Sequence, residues 1–145
     1  MPRTAENAFD AAILDSENRP VAVVEVKTRP VAGWEAILHS QLAKLAEEVT
    51  YVVTIDPSRI HVYQPTGEKV GEPIVHFDTG TILKHYDADF SKKRVFEDYL
   101  LTLVEAWIRD LAYHWKSEIP PGSQELEHAG VLQKIAGGTT QRLGA

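Results

Sequence analysis

Apolar and polar positions mark out a short series of elements. Residues 9–14 and 21–27 are two apolar runs joined by a polar turn. Phe9, Ala11, Ile13, Ala22, Val24 and Val26 fall on one face of the implied hairpin, and Ala12, Leu14, Val21 and Val23 on the other. Apolar residues on both faces predict strands covered on both sides. Pro20 opens the second run, where a missing N–H is tolerated. Trp34, Leu38, Leu42, Leu45 and Val49 then recur at helical spacing, which predicts an amphipathic helix over 34–49. Tyr51–Ile55 reads as a buried strand, Asp56-Pro57-Ser58 as a turn, and Ile60–Tyr63 as the returning strand. Residues 73–77 suit an edge strand, 78–81 a turn, and 82–86 fit either a helix or a strand.

The second half is helical in pattern. Val95, Tyr99, Leu103, Trp107, Leu111 and Trp115 form one row, and Phe96, Leu100, Val104, Ile108 and Ala112 an adjacent one, so a long helix is expected over 91–116. Its wide apolar face either covers the sheet or supplies a partner surface with Trp107 and Trp115 as anchors, the residue type enriched in binding hot spots. Ile119-Pro-Pro-Gly-Ser123 breaks the chain, a short helix is expected at 124–136, and 139–145 reads as a frayed tail. That tail could fold back, reach a neighbouring subunit or stay mobile. Residues 1–7 read as a loosely attached start. The expectation is an α/β fold in one domain over 1–145. Its core lies at 8–77, its long helix at 91–116, and a short helix and tail at 120–145.

Three charged side chains interrupt the apolar hairpin: Asp10, Glu25 and Lys27. With the turn centred between Glu17 and Asn18, opposed residues have numbers that sum to 35. Leu14 then faces Val21, Ala12 faces Val23, and Asp10 faces Glu25. Opposed Cβ atoms lie about 4.5–5.5 Å apart. Lys27 is two residues past Glu25 and shares its face. Carboxylates this close repel, and burial raises the cost. A divalent cation with oxygen ligands offsets it, since Mg²⁺ binds through one or two carboxylates plus waters and phosphates. The plainer reading has Glu25 and Lys27 reaching solvent while Asp10 ends a strand. Gln41 borders the buried face of the helix, so it either points at the acids or edges the core.

An acid, a hairpin turn and then Glu25-Val26-Lys27 make the chain resemble the PD-(D/E)xK nuclease superfamily, with Phe9 in place of the usual proline. Helix, strand, turn and strand follow in the order seen in the nuclease-like N-terminal domains of type I restriction motor subunits, and the likeness covers roughly residues 8–64. It implies a restriction-endonuclease-like mixed sheet flanked by helices. It also implies Asp10 and Glu25 binding Mg²⁺ or Mn²⁺ with the Val26 carbonyl, Lys27 as the catalytic lysine, and Gln41 as an auxiliary group. The superfamily core opens with a helix and a strand before the first acid, and the helix often carries a further Glu. Only nine residues precede Asp10, so the core is pared down, or another chain or the C-terminal half fills the gap; Glu6 is a partial substitute at best.

Composition limits the alternatives. The 145 residues include no cysteine, which excludes disulfides, thiolate metal sites and cysteine nucleophiles. No apolar run approaches the roughly 20 residues of a membrane span, and no signal-peptide pattern stands at the start, so a cytoplasmic setting is expected. The six histidines show no recognised ligand spacing, and no Gly-x-Ser-x-Gly elbow supports a triad. Asp87 and Asp89 read as introducing the long helix, and Asp15, Glu17 and Asp56 as turn residues. A net charge of −6 opposes tight non-specific nucleic-acid binding, although Lys27 with Arg29 and the run Lys92-Lys93-Arg94 form basic clusters. The expected function is metal-dependent hydrolysis of phosphodiester bonds in nucleic acid, DNA being the expected form, by a homodimer formed through the long helix. The alternative is a nuclease-fold module of little or no activity that binds, regulates or oligomerises.

Overall fold

The structure, a computed structural model, describes residues 9–45, 49–67 and 69–143. The first seven residues, and Glu6 with them, lie outside that range. Twelve segments follow in order: strands β1 (Ala11–Leu14) and β2 (Pro20–Val26), helix α1 (Trp34–Leu42), strands β3 (Tyr51–Ile55), β4 (Arg59–Tyr63) and β5 (Val75–Asp78), helix α2 (Thr79–Leu83), a 3₁₀ turn (Phe90–Lys92), helices α3 (Glu97–Tyr113), α4 (Ser123–His128) and α5 (Val131–Ile135), and strand β6 (Thr139–Arg142). The strands form one mixed sheet in the order β5-β4-β3-β2-β1-β6, in which only β2 and β3 run parallel. None of the described helices is long and apolar enough to cross a membrane.

The two faces of this sheet carry separate cores. On one, Ala11, Ile13, Val24, Val26, Val53, Ile55, Ile60 and Val62 pack beneath α3, with Leu100, Val104, Trp107 and Ile108 among the facing residues. On the other, Phe9, Val23, Val52 and Tyr63 pack against Trp34 and Leu38 of α1. The expected alternation of the hairpin holds through Ala11, Ile13, Ala22, Val24 and Val26, with both faces covered, but not at the ends: Phe9 packs with Val23 on the α1 side and Val21 with Ala11 on the α3 side, the reverse of expectation. The hairpin register holds within the strands, where Ala11 pairs with Val24, Ala12 with Val23 and Ile13 with Ala22. The ladder ends at Ala11, and Asp10, expected opposite Glu25, bonds to Val24 and Val26 on either side of it. At the turn the register does not hold, because Leu14 pairs with Pro20 and not with Val21. The Asp15 carboxylate gathers the N–H groups of Glu17 and Arg19 at 2.9 Å each, and Asn18 takes a left-handed φ of 68°. That turn is one residue shorter than expected, and Val21 is the extra residue on β2 where the register shifts by a bulge.

Several boundaries differ from expectation. The helix expected over 34–49 ends at Leu42, where Lys44 and Leu45 donate to the carbonyls three residues back and tighten the last turn. Residues 46–48 of that expectation lie outside the described range. Leu45 and Val49 still pack on the second core. Residues 78–81 are not a free turn: Asp78 caps α2 by accepting the Thr81 N–H at 3.0 Å. The long helix spans 97–113 and not 91–116, because Lys93 and Phe96 both take extended dihedrals before it. Asp87 stands apart from it, held by Lys93 at 2.8 Å and the Tyr99 hydroxyl at 2.6 Å. Residues 124–136 form two short helices, separated where Gly130 adopts φ 83°.

Two corrections change the architecture. Trp107 is no surface anchor: it is 2 % exposed, meets Phe77 edge-on at 5.7 Å and donates Nε1–H to the Pro121 carbonyl at 2.7 Å. Trp115 lies beyond the helix and folds back to donate to the Ala106 carbonyl at 2.8 Å. The face offered for dimer contact is thus largely occupied by the sheet. The tail read as frayed is strand β6, antiparallel to β1 from Ala11–Arg142 to Leu14–Thr139. Arg142 clamps it to α3 by binding Glu105, Thr102 and Asp98. Of the options open for the space beside the first acid, the C-terminal half takes it: β6 flanks β1, and α3 lies across the adjoining face.

Candidate functional site

The site forms where β1 begins and β2 ends. Asp10 is fixed along its backbone from two sides, since its N–H donates to the Val24 carbonyl and its carbonyl accepts from the Leu143 N–H, both at 2.9 Å. Its carboxylate accepts the Val26 N–H at 2.8 Å and so closes the hairpin ladder with a side chain. In an extended strand the N–H and C=O of one residue point to the same neighbour. The Val26 carbonyl therefore faces the Asp10 side as well. Next along β2, Lys27 turns its N–H to Ile55 at 2.9 Å.

Glu25 is the buried member, 5 % exposed. One of its oxygens, Oε2, receives both Lys27 Nζ at 3.1 Å and Gln41 Nε2 at 2.9 Å. Gln41 therefore points at the acids and not at the edge of the core, and Lys27 shares the face of Glu25 as its spacing requires. The plainer alternative fails for Glu25, whose charge is enclosed and partnered; Lys27, with its side chain 43 % exposed, spans from that carboxylate to solvent.

The position of Gln41 depends on a residue read only as part of a turn. Asp56 does hold the β3–β4 turn, accepting N–H groups from Ser58 at 2.8 Å and Arg59 at 2.9 Å. It is also buried, and its second oxygen accepts the Val31 N–H at 3.0 Å and the Trp34 indole N–H at 3.4 Å. Asp56 thereby ties the start of α1 to the end of β3, and two helical turns later Gln41 meets Glu25.

Electrostatics mark the pocket. Asp10 is pushed up to about 6, first by burial and then by the Glu25 carboxylate beside it, against the pull of the Val26 N–H. A third carboxylate enters from α3: Glu97 is raised chiefly by the charge on Asp10, against the pull of Lys27. Sequence reasoning missed Glu97. Its chain position, 87 residues past Asp10, carries no local signal, and only the packing of α3 across the sheet brings them together. Among the described residues, no set of three or more His, Cys, Asp or Glu side chains is gathered as a ready-made metal cage. Mg²⁺ needs only one or two carboxylates and keeps several waters, so the Asp10–Glu25 pair with the Val26 carbonyl fits its donor preference.

A polar row leads away from the acids across the same face. Glu25 pairs with Thr54, Thr54 with His61, and His61 with His76. Among the described residues, Thr54 Oγ1 and His61 Nδ1 are buried without a protein hydrogen-bond partner. Burial holds the His61 imidazole below its ordinary value, opposed by the nearby Asp56. Compared with protein-family models, curated proteins and solved structures, the chain matches none.

Proposed function

We propose that the chain is a metal-dependent phosphodiesterase of nucleic acid, with DNA as substrate, working in the manner of the PD-(D/E)xK nucleases on a restriction-endonuclease-like sheet. The observation that carries this reading is the meeting of Lys27 and Gln41 on one oxygen of Glu25, beside an Asp10 whose proton affinity is raised. Asp10, Glu25 and the Val26 carbonyl would hold Mg²⁺ or Mn²⁺. When bound, such an ion lowers the pKa of water and polarises a phosphoryl group. The residues supply the rest. Asp10 loses its proton as pH rises through about 6, which frees its carboxylate to act as a ligand. Lys27 reaches solvent from Glu25, where its ammonium orients an attacking water or balances charge on the phosphate. Gln41 keeps Glu25 turned toward Asp10.

Calorimetric titration of Mg²⁺ and Mn²⁺ into wild type and Asp10→Ala tests the metal step. The reading requires a site that the substitution abolishes. Cleavage of linear, nicked, branched and single-stranded DNA then tests the chemistry, with Lys27→Ala expected to bind metal and not cut. An inactive nuclease-fold module is the second reading, favoured by the net charge of −6. Metal binding without cleavage of any substrate would select it.

A further inference from the structure

The segment that enters α3 has its own chemistry beside the carboxylates. Lys93 and Phe96 are both extended, with φ/ψ of −101°/152° and −105°/156°. Alternate side chains in an extended run point to opposite sides. Val95 accordingly packs against the core under α3, while Arg94 and Phe96 stand out in solvent. The Arg94 guanidinium lies over the Phe96 ring, 5.3 Å from its centroid, and Phe96 remains 58 % exposed. The next residue is Glu97, the first of α3, whose carboxyl feels the charge on Asp10. Nearby charges are accounted for: Asp98 is held by Arg142, and Lys93 by Asp87. Lys92 and Arg94 are left as exposed cations on this lip.

We infer that Phe96 with Arg94 is a stacking platform for an unpaired base, so that the site takes a single nucleic-acid strand or an unpaired end. This inference rests on the phosphodiesterase reading for its ligand class and specifies which nucleic acid enters. An aromatic face accepts any base, but only one that has left its own stack, which duplex interiors do not offer. Arginine adds a cation for the adjoining phosphate and a second stacking plane. With a net charge of −6, phosphate neutralisation alone gives little affinity, and stacking supplies what it lacks.

Fluorescence anisotropy at low ionic strength, in EDTA so that nothing is cut, tests this with labelled DNA and RNA single strands and a blunt duplex of the same sequence. Wild type should bind a single strand, of either sugar, more tightly than the duplex. Phe96→Ala should weaken strand binding about five- to a hundredfold, the effect of losing one stacked base, and leave duplex binding unchanged. Phe96→Trp should restore it. The residue is exposed, and circular dichroism checks that both variants fold. No strand binding by wild type, a change under twofold in Phe96→Ala, or equal losses on strand and duplex would each overturn the inference. The two proposals fail separately. Phe96-dependent binding without cleavage defeats only the phosphodiesterase, and cleavage indifferent to Phe96 defeats only the platform.

Discussion

Replacing Asp10 with Asn should make the protein more stable at neutral pH. The amide keeps the shape of the side chain and an oxygen for the Val26 N–H, but it removes a charge pressed against Glu25 and Glu97. The sign follows from linkage. A carboxyl whose folded pKa is raised binds its proton more tightly when folded, so its protonation favours folding. That contribution is fully present below the unfolded value of 3.8 and is lost as pH rises through about 6. The rise corresponds to about 3 kcal/mol, at about 1.4 kcal/mol for each tenfold change in proton affinity. Water at this half-buried carboxyl screens the effect to about 1 kcal/mol. Urea denaturation at pH 7.5 and pH 4 should therefore show Asp10→Asn ahead by about 1 kcal/mol at the higher pH, or about 3 °C in Tm. At the lower pH the gap should close. Mg²⁺ at ten times its Kd adds about 1.4 kcal/mol to wild type and nothing to the variant, so the order then reverses. A variant less stable at pH 7.5 in EDTA, or a gap unchanged by pH, would refute the idea that Asp10 is held at a cost.

The same substitution should move the Glu97 carboxyl back toward its ordinary titration range, followed by carbon NMR of the side-chain carboxyls, because the charge on Asp10 is the main cause of its rise. Arg142→Ala leaves the buried Glu105 with only Arg109, at 3.8 Å, as a cationic partner and should cost about 2 kcal/mol in chemical denaturation. Deleting residues 138–145 exposes the edge of β1 and should produce concentration-dependent association in light scattering.

Local patterns were readable in the sequence, and distant packing was not. The alternation through 9–14 and 21–27 specified two covered strands, and the arithmetic of the hairpin placed Asp10, Glu25 and Lys27 together. A two-residue period leaves little freedom once both faces are buried. Gln41 was legible only as two options, because its direction depends on Asp56 gripping Trp34, a contact 22 residues apart. Helical periodicity overran its true limits after Leu42 and before Glu97, since apolar spacing continues where Leu45 and Val95 still pack on the cores outside a helix. Thr139-Thr-Gln-Arg142 carries almost no apolar signal, yet it is a strand, because its partner β1 offers the backbone hydrogen bonds and Arg142 finds Glu105. Such an element is specified by its neighbours and not by its own composition.

The clamp on Asp10 has a consequence in time. Its carbonyl is held by the N–H of Leu143, and Glu97 arrives from the first turn of α3, so the acids are made early in synthesis and completed late. A chain still emerging from the ribosome can form the hairpin, since that pairing is local, but Asp10 lacks half of its backbone anchorage until residue 143 has joined the sheet. The carboxylate cluster therefore reaches its full set of contacts only after β6 has docked on β1, as the last described strand to join the sheet.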